Sequence, residues 1–269
     1  MLSMLMSVYG KDNPDHFQVA LESIVKQTVL PSEIILIADG PLTDALDSII
    51  EEFSKKLPIF CHRLSKNQGL AVALNYGLEL ATQPWIMRFD SDDYCHPDRV
   101  KEQIETIVSN QFDIFGSQIA EFEWDPIKPT HCRRVPSSHE QICKFARKRN
   151  PFNHMTVCYK RSLAIESGGY PLIPLMEDYA LWTLMLARDA RAYNSPSILV
   201  HARVGNGMTK RRGGLKYVRS EMALQKHLHT VSNKNLLHCL CDGIARSFVF
   251  LSPDFLRKIM YRLILRKKL

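Results

Sequence analysis

The chain has 269 residues, 45% of them hydrophobic and 23% charged, a globular composition long enough to bury the core of one large α/β domain or of a domain with an appendage. Its net charge of +7, from 35 Lys and Arg against 28 Asp and Glu, suits nucleic acid, an anionic membrane or a phosphorylated substrate. Seven cysteines, an odd set without a CxxC pair, argue against a disulfide framework or a zinc ribbon and fit a reducing cytosol.

Leu2 to Val8 reads as a first strand that turns at Tyr9-Gly10, and Asp15 opens a helix with Phe17, Ala20, Leu21, Ile24 and Val25 on one face. Glu33 to Ala38 is a β-branched strand stopping at Asp39-Gly40-Pro41. Thr43 caps a helix that turns Leu46, Ile49, Ile50 and Phe53 inward. Ile59 to Leu64 is a third strand, Gly69 to Leu80 an alanine-rich helix packed closely on the sheet, and Trp85 to Phe89 a fourth strand. A helix from Pro97 to about Asn110 and a strand from Asp113 to Ala120 follow. Strands alternating with helices of this length predict right-handed βαβ units and a parallel, doubly wound sheet, whose ligands bind beyond the carboxyl ends of the strands. Asp39, Asn67 and Asp90 all fall at such ends.

The second half is less regular. Phe122 to Pro136 reads as a hairpin or loop, Ser138 to Arg149 as a basic helix, and His154 to Lys160 as a strand. A short helix, Ser162 to Glu166, stops at Gly168-Gly169-Tyr170-Pro171. Glu177 to Ala187 forms another helix with acids in its first turn, where they would also serve as simple caps, and Ser197 to Ala202 is a late strand. The pairs His131-Cys132 and His238-Cys239, with Cys241, read as core or surface residues rather than metal ligands.

The chemistry concentrates in Met87-Arg88-Phe89-Asp90-Ser91-Asp92-Asp93. A buried apolar run that ends in three carboxylates delivers like charges to the mouth of a cleft, and a divalent cation would relieve their repulsion. Hard oxygen ligands select magnesium or manganese, with substrate phosphates completing the shell. An Asx-type turn before the helix start at Pro97-Asp98-Arg99 is the competing reading. An EF-hand is excluded, because the sixth and twelfth positions from Asp90 are Cys95 and Lys101 rather than glycine and glutamate. A strand ending in Asp-x-Asp also serves metal-dependent phosphotransferases and nucleotidyltransferases, and a non-enzymatic membrane adaptor is a further alternative. No basic-aromatic nucleic-acid motif occurs, so no nucleic-acid partner is expected.

Taken together, several stretches resemble the inverting family-2 glycosyltransferases with the GT-A fold. They are Ser7-Val8-Tyr9-Gly10, Ser23 to Thr28, Glu33 to Gly40, Asn67-Gln68-Gly69-Leu70, Ala73-Leu74-Asn75 and Asp90 to Asp93, then Gly168-Gly169-Tyr170 and Glu177-Asp178-Tyr179. Asn153-His154-Met155-Thr156 and the stretch from Arg203 to Gly214 look most like bacterial members that build O-antigens, capsules and exopolysaccharides, the amylovoran type among them. The resemblance implies a Rossmann-like, mostly parallel sheet flanked by helices. Residues 1–215 would form the catalytic domain, 1–120 its nucleotide-sugar half and 121–215 its acceptor half, with 216–269 a helical extension.

The resemblance also implies a nucleoside diphosphate sugar donor, most often UDP-linked, and a saccharide acceptor on a lipid diphosphate. Tyr9, Asp39, Asn67 and Gly69 would line the base and ribose pocket, Asp90 would face the ribose, and Asp90, Asp92 and Asp93 would hold Mn²⁺ or Mg²⁺. The family commonly has two adjacent aspartates where this chain has Ala38-Asp39, so Asp39 alone would make the base-side contact. Arg211 and Arg212 would supplement the metal at the diphosphate or stay solvated. Asp178 would be the catalytic base, supported by Glu177, and Asn153, His154 and Trp182 would lie on the acceptor side, unless His154 is structural in its strand and Trp182 packs the core instead of stacking on a sugar. The start of the chain has no basic region of a signal peptide, and no apolar stretch approaches the roughly 18–20 residues of a spanning helix. In the tail, Phe255, Leu256, Ile259, Met260, Leu263 and Ile264 recur at helical spacing opposite Arg257, Lys258, Arg262 and Arg266. Such a helix would lie on an anionic membrane or pack on the domain, and the expected location is peripheral on the inner face of the bacterial cytoplasmic membrane.

Overall fold

A computed structural model describes residues 1–205, 213–232, 234–257 and 267–268. The first half follows the predicted alternation. It comprises β1 (Leu2–Val8), α1 (Pro14–Val25), β2 (Glu33–Ala38), α2 (Asp44–Ser54), β3 (Ile59–Arg63), α3 (Leu70–Leu80) and β4 (Trp85–Arg88). The strands lie in the order β3-β2-β1-β4 with parallel register, Ser3 beside Glu33 and Leu2 beside Trp85. Being covered on both faces, β2 reads as an unbroken apolar run, and all six of its residues are buried. Met4, Met6 and Leu36 point into one core with α1 and α2, whereas Leu5, Ile35 and Ile37 point into a second with α3.

Beyond β4 come β5 (Tyr94–Cys95), α4 (Arg99–Val108), β6 (Ile114–Phe122), β7 (His131–Arg133) and α5 (His139–Ala146). β8 (Cys158–Lys160), α6 (Arg161–Glu166), α7 (Glu177–Leu186) and β9 (Ala192–Arg203) complete the sheet's surroundings. β8 inserts antiparallel between β4 and β6, while β9 runs parallel along the other edge of β6 and pairs with β5. Two helices, α8 (Leu215–Ser232) and α9 (Leu236–Leu251), form a hairpin, and β10 (Lys267–Lys268) pairs with β7. Among the described residues no helix is long and apolar enough to cross a membrane.

Three local expectations change. The segment from His154 is not one continuous strand: His154–Thr156 is a 3₁₀ turn, and only Cys158–Lys160 is β. Thr156 Oγ1 closes that turn by donating to Asn153 O at 2.8 Å and accepting the Ser117 N–H at 3.0 Å, a side-chain substitute for ladder bonds. β9 begins five residues before Ser197, and Pro196 hid that start. The proline sits where the register against β6 jumps from Ser117–Ser195 to Gln118–Ile198, an irregularity that tolerates a missing N–H. On α1 the buried position is Ser23 rather than the exposed Val25; its hydroxyl accepts the Cys95 N–H at 2.9 Å and so ties α1 to β5.

α3 comes close to the sheet because Gly77 has no side chain. A Cβ there would collide with Leu5 Cδ1 and stand 3.1 Å from Ile37 Cγ1. Gly77→Ala is expected to lower stability by about 1–3 kcal/mol through overpacking, despite alanine's better helix propensity. Urea unfolding measures this, and an unchanged or raised midpoint would mean that the interface has room for a methyl group.

Candidate active site

β4 carries the chain from the buried sheet into the acidic turn, where the oxygens of Asp90, Asp92 and Asp93 lie within 4.8 Å of one another. Each acid meets a different environment. Asp90 Oδ1 pairs with Arg88 at 2.5 Å and its Oδ2 with His154 Nε2 at 2.8 Å. Burial works against the Asp90 charge, but Arg88 and then His154 hold its carboxyl well below the usual carboxylate range. Arg88 is itself buried and donates to the Phe89 carbonyl, a cation built into the floor of the site.

Asp93 is buried. Its Oδ1 accepts the Arg203 N–H at 2.8 Å, and its Oδ2 has no hydrogen-bond partner. Burial, then the charges of Asp92 and Asp90, push its carboxyl well above the ordinary range. Arg203, on the last residue of β9, also donates from Nε to the Asp92 carbonyl at 3.0 Å and stacks over Phe122 at 4.5 Å. An orphaned buried carboxylate oxygen beside two further carboxylates that reach solvent is a donor set fitted to a hard divalent cation.

A cavity of about 320 Å³ adjoins this turn, lined by Ser7, Tyr9, Asp12, Asp39, Asn67, Gly69, Leu70, Arg88 and Asp90 to Asp92. Its far wall is set by Asp39, whose carboxylate accepts the N–H groups of Gln68 at 2.7 Å and Gly69 at 2.9 Å. Asn67 Nδ2 donates back to the Asp39 carbonyl at 3.2 Å. Gly69 adopts φ +92°, a left-handed conformation that a side chain would strain, and thereby presents the start of α3 to the cavity. Tyr9, Asp39, Asn67, Gly69 and Asp90 therefore do converge. Asp12 was not anticipated. It accepts the Tyr9 N–H at 3.2 Å and the Ser91 hydroxyl at 3.0 Å, joining the β1 turn to the acidic turn.

On the opposite side stands α7. Its N-cap, Met176, offers no side-chain acceptor, yet Asp178 does not cap the helix: its Oδ2 accepts Asn150 Nδ2 at 2.8 Å and lies 3.5 Å from His154 Nδ1. Glu177 suits the capping reading better, since its carboxyl engages its own N–H; burial, then the Asp178 charge, raises its pKa. His154 thus bridges Asp90 and Asp178. Burial pulls the imidazole's pKa down, but the charge and hydrogen bond of Asp90, then the charge of Asp178, outweigh it and raise the value to about 9. The two carboxylates thus favour the protonated form of the ring.

Two expected acceptor-side residues lie elsewhere. Trp182 is 0% exposed, packed among Phe152, Tyr159 and Tyr170, so no sugar can stack on it. Asn153, also 0% exposed, spends its Nδ2 on the Ser117 carbonyl at 2.9 Å. Arg211, Arg212 and the tail from Lys258 to Arg266 lie outside the described residues.

The acidic turn makes a cation test possible. Manganese at about 100 times its dissociation constant should stabilise the protein by about 2.7 kcal/mol through mass action. Asp92→Asn and Asp93→Asn should lose most of the resulting rise in melting temperature. An equal rise in both variants would show that these acids hold no ion.

The Glycosyl transferase family 2 model matches residues 3–166. Across 98% of its length the chain is 37% identical to 96% of an Escherichia coli UDP-Gal:alpha-D-GlcNAc-diphosphoundecaprenol beta-1,3-galactosyltransferase. It is 33% identical, over 97% of its length and 98% of the relative's, to the amylovoran biosynthesis glycosyltransferase AmsE of Erwinia amylovora. The structure is similar to Staphylococcus aureus TarS 1-349 in complex with UDP-GlcNAc, with a TM-score of 0.69 and 18% identity over 98% of this chain and 75% of that one.

Proposed function

The chain belongs to glycosyl transferase family 2 and is a glycosyltransferase of the GT-A fold with relatives in bacterial polysaccharide synthesis; on that premise we propose that it transfers a hexose, with inversion, from a UDP-sugar to a saccharide carried on a lipid diphosphate. The observation that carries this reading is the chain Asp90–His154–Asp178, which links the cavity beside the acidic turn to a carboxylate on the opposite side. The Escherichia coli relative's UDP-galactose donor and diphosphoundecaprenol-linked acceptor support the choice of substrates.

In this reading the nucleotide occupies the cavity, with Asp39, Asn67 and Gly69 on the base side, Tyr9 beside them and Asp90 toward the ribose. Asp92 and Asp93, with Asp90, would hold Mn²⁺ or Mg²⁺, which would supply positive charge beside the leaving diphosphate. Inversion is a single displacement: the acceptor oxygen bonds to the anomeric carbon as the bond to the diphosphate breaks, and the hydroxyl proton passes to a carboxylate. Asp178 takes that proton. Asn150 and His154 both engage its Oδ2, which turns Oδ1 to the acceptor. Glu177 supports Asp178 by its negative charge, Arg211 and Arg212 assist at the diphosphate, and His154 fixes the spacing between the two halves. Residues 1–120 serve the donor and 121–215 the acceptor. The enzyme works at the inner face of the cytoplasmic membrane.

The deciding experiment supplies UDP, GDP and dTDP sugars with a GlcNAc-diphosphate-lipid acceptor and measures product and released nucleotide. Transfer from a UDP-hexose is expected. Asp178→Asn should lower kcat about 10²–10⁴-fold, the usual worth of a general base, while donor affinity stays within about twofold. Release of phosphate or pyrophosphate, or full activity in Asp178→Asn, would refute the proposed chemistry.

A further inference from the structure

α9 presents an outer face that nothing in the described structure covers. Leu237, Leu240, Ile244, Phe248 and Leu251 recur every three to four residues and are all exposed, Phe248 at 72% and Leu237 at 67%. Scattered apolar side chains are ordinary on a surface, but an unbroken stripe along a 16-residue helix, about 24 Å long at 1.5 Å per residue, is not. The charges of α9 point away from the stripe. Asp242 pairs with Lys234 at 2.7 Å, and Arg246 pairs with the buried Glu221 of α8 at 3.0 Å.

Charge selects the partner. Of the three carboxylates between 213 and 257, Glu221 is buried and Asp242 and Asp254 are half-buried, Asp242 being paired with Lys234, whereas Lys216, Arg219 and Lys226 on α8 are exposed. An apolar stripe accompanied by exposed cations, with no fully exposed acid beside it among the described residues, complements an anionic lipid surface. A second copy docked on the same face would set these cations against their counterparts. Location agrees with this choice. Leu224 and Leu228 of α8 pack on Tyr179 and Ala180, the two residues after Asp178, and His227 Nε2 meets the Ala180 carbonyl at 3.1 Å.

We propose that the α8–α9 hairpin lies on anionic bilayer lipid through the Leu237–Leu251 stripe, with Lys216, Arg219 and Lys226 at the headgroups, and so holds α7 over the membrane. The proposal rests on the lipid-linked acceptor inferred above. It assigns the membrane contact to a described hairpin, independently of the tail beyond Arg257.

The full chain is tested by flotation with phosphatidylcholine vesicles containing 30% phosphatidylglycerol and with vesicles of phosphatidylcholine alone. Wild type should bind the anionic vesicles, and Ile244→Glu combined with Phe248→Glu should lose at least about tenfold in affinity. Transfer to a short-chain, water-soluble diphosphate acceptor should remain unchanged. In Phe248→Trp, a variant gentle to the fold, bromine-labelled phosphatidylglycerol should quench emission beyond the wild-type background. Undiminished binding of the double variant, absence of quenching, or a double variant that loses only self-association would overturn the proposal. Stripe-dependent binding without transfer to any diphosphate acceptor would uphold the hairpin's role and refute the acceptor reading instead.

Discussion

Like charge gathered in a small volume is the constraint on which this site depends. β4 ends in three carboxylates, and the fold answers with two basic side chains and a main-chain donor. Arg88 comes from the strand itself, His154 from a turn 64 residues later, and the Arg203 main chain from 110 residues after Asp93. Buried charges survive only where partners meet them at hydrogen-bond distance. The same requirement therefore ties β4, the turn before β8 and the end of β9 into one unit, with Arg99 donating to the Arg88 carbonyl at 2.6 Å beneath them. Compensation is complete for Asp90 and incomplete for Asp93, whose second oxygen stays unpaired. That difference leaves on Asp93 an oxygen open to an added cation, beside an Asp90 already oriented by Arg88 and His154.

Topology explains how the two halves meet at the site, since β8 and β9 of the second pair directly with β4, β5 and β6 of the first. An all-parallel sheet would place another βαβ crossover beside β4. Instead β8 enters antiparallel, and the turn preceding it lies at the same edge as the acidic turn. His154 therefore approaches Asp90 from the strand's own neighbour. Its other nitrogen reaches toward α7, which puts Asp178 across from the cavity without a long connecting loop. Proximity of this kind is one part of what a displacement reaction asks of a protein, since reacting groups held in place avoid the entropic cost of meeting.

Much of this was legible in residue order, for physical reasons particular to each element. The strand ends at Asp39 and Asp90 show as apolar runs that stop in acids, and Gly69 shows as a glycine before a helix. All three face the cavity. Features made by pairing were not legible. Pro196 reads as a break, although it sits at a register shift within a twelve-residue strand. Nothing in residue order marks Asp12, whose link to the acidic turn is made by the approach of Ser91 across 79 residues. Of the two readings open for Trp182, sugar stacking and core packing, the structure shows the second, and Asn153, whose place beside a histidine suggests polar binding, is buried as well. Both are sealed inside by neighbours that a linear reading does not bring together.

Asn153 nonetheless bears on the site through what it holds. Its amide donates to the Ser117 carbonyl on β6, its own carbonyl accepts the Thr156 hydroxyl, and Gln103 of α4 donates to the Thr156 carbonyl at 2.7 Å. The turn carrying His154 is thus anchored to a strand on one side and to a helix on the other. A free imidazole between two carboxylates would swing toward either; with the flanking Asn153 and Thr156 fixed by three buried hydrogen bonds, its two nitrogens are held one to each carboxylate. Precision at a reacting centre comes from such supporting shells as much as from the groups they support. The residues that look least catalytic by burial are those that set where the exposed ones stand.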